Sequence, residues 1–226
     1  MLIVIPNLLS AEEVKRYRMD LLTASWEDGR ATAGYLAATV KHNQQLPLDS
    51  AVGKKLGADL MHKLAQHPQF VAAALPAKVL PPRFNRYEGG QTYGDHIDNA
   101  IFSHPQSHER IRSDVSSTLF LSNPDEYDGG ELVIQDTYGS QSLKLSAGDL
   151  VLYPGTSLHR VNPVTRGMRL GAFFWTQSMV RQAHRRAMLW ELDQSIQGLA
   201  QQTQEEQALA RLSGVYHNLI REWAEV

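Results

Sequence analysis

Residues 148–176 read GDLVLYPGTSLHRVNPVTRGMRLGAFFWT. Three runs rich in Val, Leu, Phe and Thr stand out here, Leu150–Tyr153, Ser157–Val161 and Arg169–Thr176, with Ala147-Gly148-Asp149 and Thr165-Arg166-Gly167 as turn signals. β-Branched and aromatic residues suit a pleated surface and glycine supplies turn geometry, so the stretch predicts short strands joined by tight connections. The same texture extends back to about Val79 through Val79–Tyr87, Val115–Ser122, Glu131–Gln135 and Ser142–Leu145, with a further turn signal at Asp128-Gly129-Gly130. Ten of the 16 glycines lie between Gly89 and Gly171. No amphipathic stretch of helical length interrupts the region, which speaks against parallel strands with helical crossovers. Many short antiparallel strands predict a sandwich or jelly roll.

The flanks read differently. Leu2 to Ile5 predicts a short strand ended by Pro6, and Ser10 with Glu13 forms a capping box, with Leu9 and Val14 placed as a staple. That helix is expected to run to about Ala24. A second helix is expected over Ser50–His67, where Val52, Leu56, Leu60 and Leu64 make one stripe. Arg30 to Leu48 is polar and predicts irregular structure, with a cleft-lining role open to it. After Gln177, Met179, Ala183, Ala187 and Trp190 share a helical face, and Leu209, Leu212, Tyr216, Leu219 and Trp223 form a heptad-like seam. The seam either packs on the preceding helix and the barrel or meets a second subunit as a homodimer. The expected class is α+β, with residues 1–77 packing on a jelly-roll core at 78–178 and a helical extension at 179–226.

Composition narrows the function. The 226 residues hold 22 Lys plus Arg against 24 Asp plus Glu, a net charge of -2, and are 42% hydrophobic, enough for a core. The Arg160, Arg166, Arg169 group and Arg181, Arg185 and Arg186 lack interleaved aromatics, so no nucleic-acid partner is expected. The absence of cysteine removes disulfides, thiolate metal sites and cysteine nucleophiles. No run approaches the ~18 apolar residues of a membrane span. The opening MLIVIPNLLSAEE has no basic region before its apolar run, which reads as a mature N-terminus of a cytoplasmic protein.

The chemistry concentrates in four side chains. His96 and Asp98, two apart at a strand or strand end, point to one side. His159 lies 63 residues after His96 in another strand-like run, and a jelly roll can bring the two together at its mouth. Two imidazoles and one carboxylate on one face of a metal suit non-haem Fe(II) and leave the opposite face open. Arg169 follows His159 by ten positions, across a turn that can set it on the neighbouring strand, sharing a face with Gly171 and Phe173. A guanidinium inside a barrel needs an anion, and its fork suits a carboxylate. Bland alternatives stay open for each: a surface turn for His96 and Asp98, a structural ion pair for Arg169, core packing for Tyr87, Tyr93 and Trp175. His104, His108 and Glu109 lie in the polar stretch Phe102–Asp114, expected to be a mobile loop without a metal role, or a lid over substrate.

The run from Asn85 to Ala100, NRYEGGQTYGDHIDNA, and the run Gly148–Gly155 leading to His159 and Arg169 resemble the prolyl-4-hydroxylase-like Fe(II)/2-oxoglutarate dioxygenases. Over its whole length the chain is similar to the PKHD-type (PiuC/YbiX-like) hydroxylases. The resemblance implies a double-stranded β-helix, with Fe(II) held by His96, Asp98 and His159 and the distal carboxylate of 2-oxoglutarate by Arg169. It implies L-ascorbate as accessory reductant, 2-oxoglutarate and O2 as partners, an unidentified small-molecule or peptide substrate that gains a hydroxyl, and a link to iron uptake. A tyrosine hydroxyl often assists in the superfamily; Tyr87 is the nearest candidate and Tyr93 stands behind it. A second tyrosine of some relatives stands here as Leu119 or Phe120. Competing functions are a non-oxidative cupin-like isomerase and a small-molecule-binding or metal-sensing protein.

Overall fold

The computed structural model describes residues 1–226 other than 33, 106, 138, 204 and 226. Ile3–Ile5 (β1) leads into the helix Ala11–Leu22 (α1). Glu27–Asp28 (β2), Tyr35–Ala38 (α2), Lys41–His42 (β3) and Gln44–Gln45 (β4) follow, then the helices Ala51–Gln66 (α3) and Pro68–Ala74 (α4). Next come Pro76–Val79 (β5), Arg83–Glu88 (β6), Thr92–His96 (β7), Ile101–Ser103 (β8), Arg110–Arg112 (β9), Val115–Phe120 (β10) and Tyr127–Gly129 (β11). Leu132–Asp136 (β12), Gly139–Leu143 (β13), Leu150–Pro154 (β14), His159–Val161 (β15) and Val164–Ser178 (β16) complete the strands, and Ala183–Ala200 (α5) and Glu206–Trp223 (α6) end the chain.

The strands form two main sheets, ordered β1-β14-β10-β16-β6-β4-β2 and β13-β12-β15-β7-β3, with β11 and β5 pairing the two ends of long β16, and a separate two-stranded sheet of β8 and β9. Every strand pair is antiparallel, as the absence of crossover helices requires. The larger sheet is covered on both faces, so all six residues of β10 are buried. Period-two alternation divides its side chains. Leu119, Leu150, Leu170, Ala172 and Phe174 face a core built with Tyr17, Leu56, Leu60, Leu64 and Phe70 of α1, α3 and α4. Tyr87, Phe120, Val151 and Tyr153 face the other way, towards Leu132, Ile134 and Val161 of the smaller sheet.

Leu119 is fully buried and pairs with Leu150 on one side and Ala172 on the other. Its replacement by alanine is expected to cost about 2–5 kcal/mol. A urea midpoint measures this, and 2-oxoglutarate affinity should stay unchanged because Leu119 faces the helices.

Several boundaries differ from the sequence-based expectation, each for a local reason. The α1 capping box forms, with the Ser10 N–H donating to the Glu13 carboxylate at 2.9 Å. The helix ends at Leu22 rather than Ala24 because the Trp26 indole donates to the Leu21 carbonyl at 3.2 Å. Arg30–Leu48 is not wholly irregular: residues 41–45 bridge the two sheets, with Lys41 opposite Tyr93 of β7 and Gln45 opposite Asn85 of β6. Phe102–Asp114, expected as a loop, carries the hairpin β8–β9, with Phe102 stacked on Trp175 at 4.0 Å between ring centroids.

The connection after His159 is the main topological correction. It does not place Arg169 beside His159. β15 belongs to the smaller sheet and β16 to the larger, so the two side chains face one another from opposite sheets. Arg169 is also shaped by the turn from β11 to β12, where Gly129 and Gly130 have φ of 72° and 68°. At Gly130 a Cβ would lie 3.1 Å from Cδ of Arg169 and 2.8 Å from Val164, so the arginine stem passes where only glycine leaves room.

At the C-terminus, Tyr216, Leu219 and Trp223 of the seam pack with Leu75, Val180 and Leu189. The Arg186 guanidinium donates to the carbonyls of Val180, Arg181 and Asp114, tying α5 to the end of the barrel.

Candidate active site

β7 ends at His96 and β15 begins at His159, and the two residues are register partners. Pairing across adjacent strands is why residues 63 apart in sequence stand with ring centroids 4.2 Å apart. Asp98 follows two positions after His96. One potential ligand atom from each of the three lies within 4.8 Å of the others, and His159 Nε2 is 3.9 Å from Asp98 Oδ2. Among the described residues no other His, Asp or Glu group meets this criterion, His104, His108 and Glu109 included.

Both imidazoles are oriented by backbone. His96 Nδ1 is 2.8 Å from the Gly94 carbonyl and His159 Nδ1 is 3.0 Å from the Ser157 carbonyl. A carbonyl only accepts, so each Nδ1 carries a proton, which leaves Nε2 as the nitrogen of each ring free to ligate a metal. Burial, and next the positive charge that His159 would carry, hold His96 down at about 4, so its ring is neutral near pH 7, the form that ligates metals. Tyr93 stacks on His96 with 3.5 Å between centroids, and Tyr153 meets His159 edge-on at 5.1 Å. The Ser116 hydroxyl donates to Asp98 Oδ2 at 2.5 Å.

Arg169 lines the same cavity from the larger sheet and is 1% exposed. Its guanidinium carbon lies 5.3 Å from the Tyr87 ring and 5.2 Å from the Phe120 ring, its Nε makes no hydrogen bond, and among the described residues no carboxylate forms an ion pair with it. The structural ion pair weighed as its alternative is thus not formed. Residues of both sheets wall the cavity, His96 and His159 from the smaller and Arg169 and Phe173 from the larger.

Comparison with known proteins agrees with this geometry. Residues 82–177 match the 2OG-Fe(II) oxygenase superfamily and residues 184–225 the PKHD-type hydroxylase C-terminal domain. The chain is 58% identical over 225 residues to a PKHD-type hydroxylase of Delftia acidovorans, covering all of both chains. The chain belongs to the PKHD-type hydroxylases. It is 56% identical over 226 residues to the PKHD-type hydroxylase PiuC of Pseudomonas aeruginosa, again covering both chains. A Pseudomonas putida prolyl-4-hydroxylase shares the fold, with a TM-score of 0.53 at 21% identity over 78% of this chain and 92% of that one. As a PKHD-type hydroxylase the protein is an Fe(II)- and 2-oxoglutarate-dependent dioxygenase, and the non-oxidative and purely binding alternatives fall away.

The cavity of this PKHD-type hydroxylase also contains residues that pattern reading passed over. Of the two positions left open for a second tyrosine, Leu119 faces the helices and Phe120 faces Arg169. No hydroxyl is available there. Tyr127 stands close instead: it is fully buried, and burial raises its pKa against the opposing charge and hydrogen-bonding reach of Arg169. The only sequence signal for Tyr127 was its place beside Asp128-Gly129-Gly130. Lys41, Asn43 and Gln45 alternate into the cavity from the segment that bridges the sheets, while His42 between them is exposed. Trp175 and Phe173 line the cavity, as their strand parity predicted.

Proposed function

We propose that His96, Asp98 and His159 hold the Fe(II) of this enzyme and that Arg169 holds the distal carboxylate of 2-oxoglutarate. The donor set fits: two imidazole nitrogens and one carboxylate oxygen, converging on the side of a cavity, suit Fe(II) and leave coordination positions free. The single observation that carries the reading is the fully buried Arg169 guanidinium without a carboxylate partner among the described residues, on the wall facing the triad. Iron and 2-oxoglutarate, when bound, supply the activation of O2 that hydroxylates a substrate C–H bond with release of succinate and CO2.

The chain's residues do the rest. The Gly94 and Ser157 carbonyls fix the imidazole tautomers, and the Ser116 hydroxyl orients the Asp98 carboxylate. Tyr87 flanks the guanidinium and Tyr93 buttresses His96, so Tyr87 is the better placed of the two to assist 2-oxoglutarate. Phe102, Phe173 and Trp175 wall the cavity and exclude water around the reacting groups.

Titration calorimetry of the full chain with Mn(II) in place of Fe(II) tests the assignment. Binding of 2-oxoglutarate that depends on the metal supports it, and absence of binding with metal present overturns it. Ser116→Ala is expected to lower metal affinity about 10–100-fold, the usual effect of removing a hydrogen bond to a ligand. The same titration measures that loss.

L-ascorbate as reductant, a small-molecule or peptide substrate, a tie to iron uptake and residues 78–178 as the catalytic unit between 1–77 and 179–226 rest on the resemblance, and a cytoplasmic location rests on the N-terminal pattern. A homodimer through the C-terminal helices rests on the heptad-like seam; Val215 and Met188 are half exposed there, and sedimentation of the full chain by ultracentrifugation measures its mass. Among the described residues no helix is long and apolar enough to cross a membrane.

A further inference from the structure

The segment that bridges the sheets carries a cation for which the proposed reaction has no use. Lys41 is 3% exposed, yet among the described residues its ammonium donates a single hydrogen bond, to the Thr32 hydroxyl at 3.1 Å. Its ammonium lies 5.1 Å from the Tyr93 ring and 5.8 Å from the Phe173 ring. Arg83, half-buried, is close enough for the two like charges to repel, and its guanidinium rests 5.8 Å from the Trp175 ring. Among the described residues neither cation forms an ion pair with a carboxylate.

Around Lys41 the wall is polar and unsatisfied. Gln45 Oε1 accepts from the Thr32 hydroxyl but its Nε2 makes no hydrogen bond, and the Asn43 amide has no closer partner than the Tyr87 hydroxyl, although both side chains are more than nine-tenths buried and line the cavity. Inward positions of a bridging segment ordinarily carry apolar residues, since an unpaired buried amide costs about 1–3 kcal/mol. Three polar side chains in alternation, one of them charged, mark a surface shaped for something that enters. Burial, and then Arg83, push Lys41 down to about 8 against the opposing pull of Asp98 and Asp28, neither of which pairs with it directly, and it stays cationic near pH 7.

We infer that Lys41, with the amides of Asn43 and Gln45, forms a second anion subsite, and that the substrate of this enzyme carries a carboxylate that docks there. The inference rests on the reading of Arg169 and the metal triad given above: those groups account for both ends of 2-oxoglutarate, so the cosubstrate leaves Lys41 unpaired. Amide donors beside an ammonium recognise the oxygens of a carboxylate, and the Tyr93, Phe173 and Trp175 rings supply apolar contact for the body that carries it.

The test uses the full chain loaded with Mn(II) and saturating 2-oxoglutarate. Two matched probes are compared, N-acetylglycine and its neutral amide, by paramagnetic broadening of their acetyl proton signals. The carboxylate is expected to bind about tenfold or more tightly than the amide, and Lys41→Met to abolish that preference while 2-oxoglutarate affinity stays within about twofold. Lys41→Arg should retain the preference, which controls for misfolding. Equal binding of the two probes to the wild-type chain overturns the inference, as does a preference that survives in Lys41→Met. A Lys41→Met variant that loses 2-oxoglutarate overturns it too, assigning Lys41 to the cosubstrate. Failure of the underlying reading looks different, because the wild-type chain would then not bind 2-oxoglutarate at all.

Discussion

Replacing Arg169 by methionine is expected to weaken 2-oxoglutarate binding by about 2–5 kcal/mol, the range for removing one partner of a buried, hydrogen-bonded charge pair. The loss is large because the guanidinium is 1% exposed and water cannot take the place of its partner. Methionine fills much of the same volume without a charge, and the arginine's present neighbours are the Tyr87 and Phe120 rings, which tolerate an apolar chain. Folding stability should therefore hold or rise, since a lone buried cation is costly until its anion arrives. Calorimetry with the Mn(II)-loaded variant reads the affinity, and a urea midpoint reads the fold. An unchanged affinity for 2-oxoglutarate would remove Arg169 from its role.

His159→Ala has the second large effect, and a different signature. Three donors converge in this site, and deleting one leaves His96 and Asp98 alone on the metal. Loss of an outer-shell hydrogen bond typically costs 10–100-fold in metal affinity, so loss of a ligand should cost more than about 100-fold. Binding of 2-oxoglutarate should fall with it, because one end of the cosubstrate depends on the metal. Arg169→Met keeps the metal and loses the cosubstrate, whereas His159→Ala loses both. Mn(II) titration followed by electron paramagnetic resonance separates the two cases. Retention of wild-type Mn(II) affinity in His159→Ala would falsify its assignment as a ligand.

Much of the site was legible before any coordinates. His96 and Asp98 are two apart at a strand end, and parity alone puts them on one side. His159 and Arg169 were legible as chemistry, since an imidazole and a guanidinium among Val, Leu, Phe and Gly have few structural uses. Their mutual position was not. A strand pattern does not say which sheet a strand joins, and the turn between β15 and β16 passes from one sheet to the other. Tyr127 and Lys41 were missed for a similar reason. Each sits in a short strand whose burial depends on what covers it, and a lysine among polar residues carries no periodic signal. The hairpin β8–β9 was hidden because its strands are three residues long and depend on Phe102 stacking against Trp175.

Local chemistry set the strand-rich centre, the capped first helix, the helical ends and the identity of the four central side chains, because period, turn residues and caps act within a few residues of one another. Tertiary packing settled what lies between distant segments: which strands share a sheet, Arg169 opposite His159, Phe120 rather than Leu119 beside the guanidinium, and Lys41 turned inward with no carboxylate paired to it among the described residues. Those outcomes depend on which faces cover which. Sheet partnership is a contest among many segments for the same hydrogen bonds and the same apolar surface, and no short window of residues records its result.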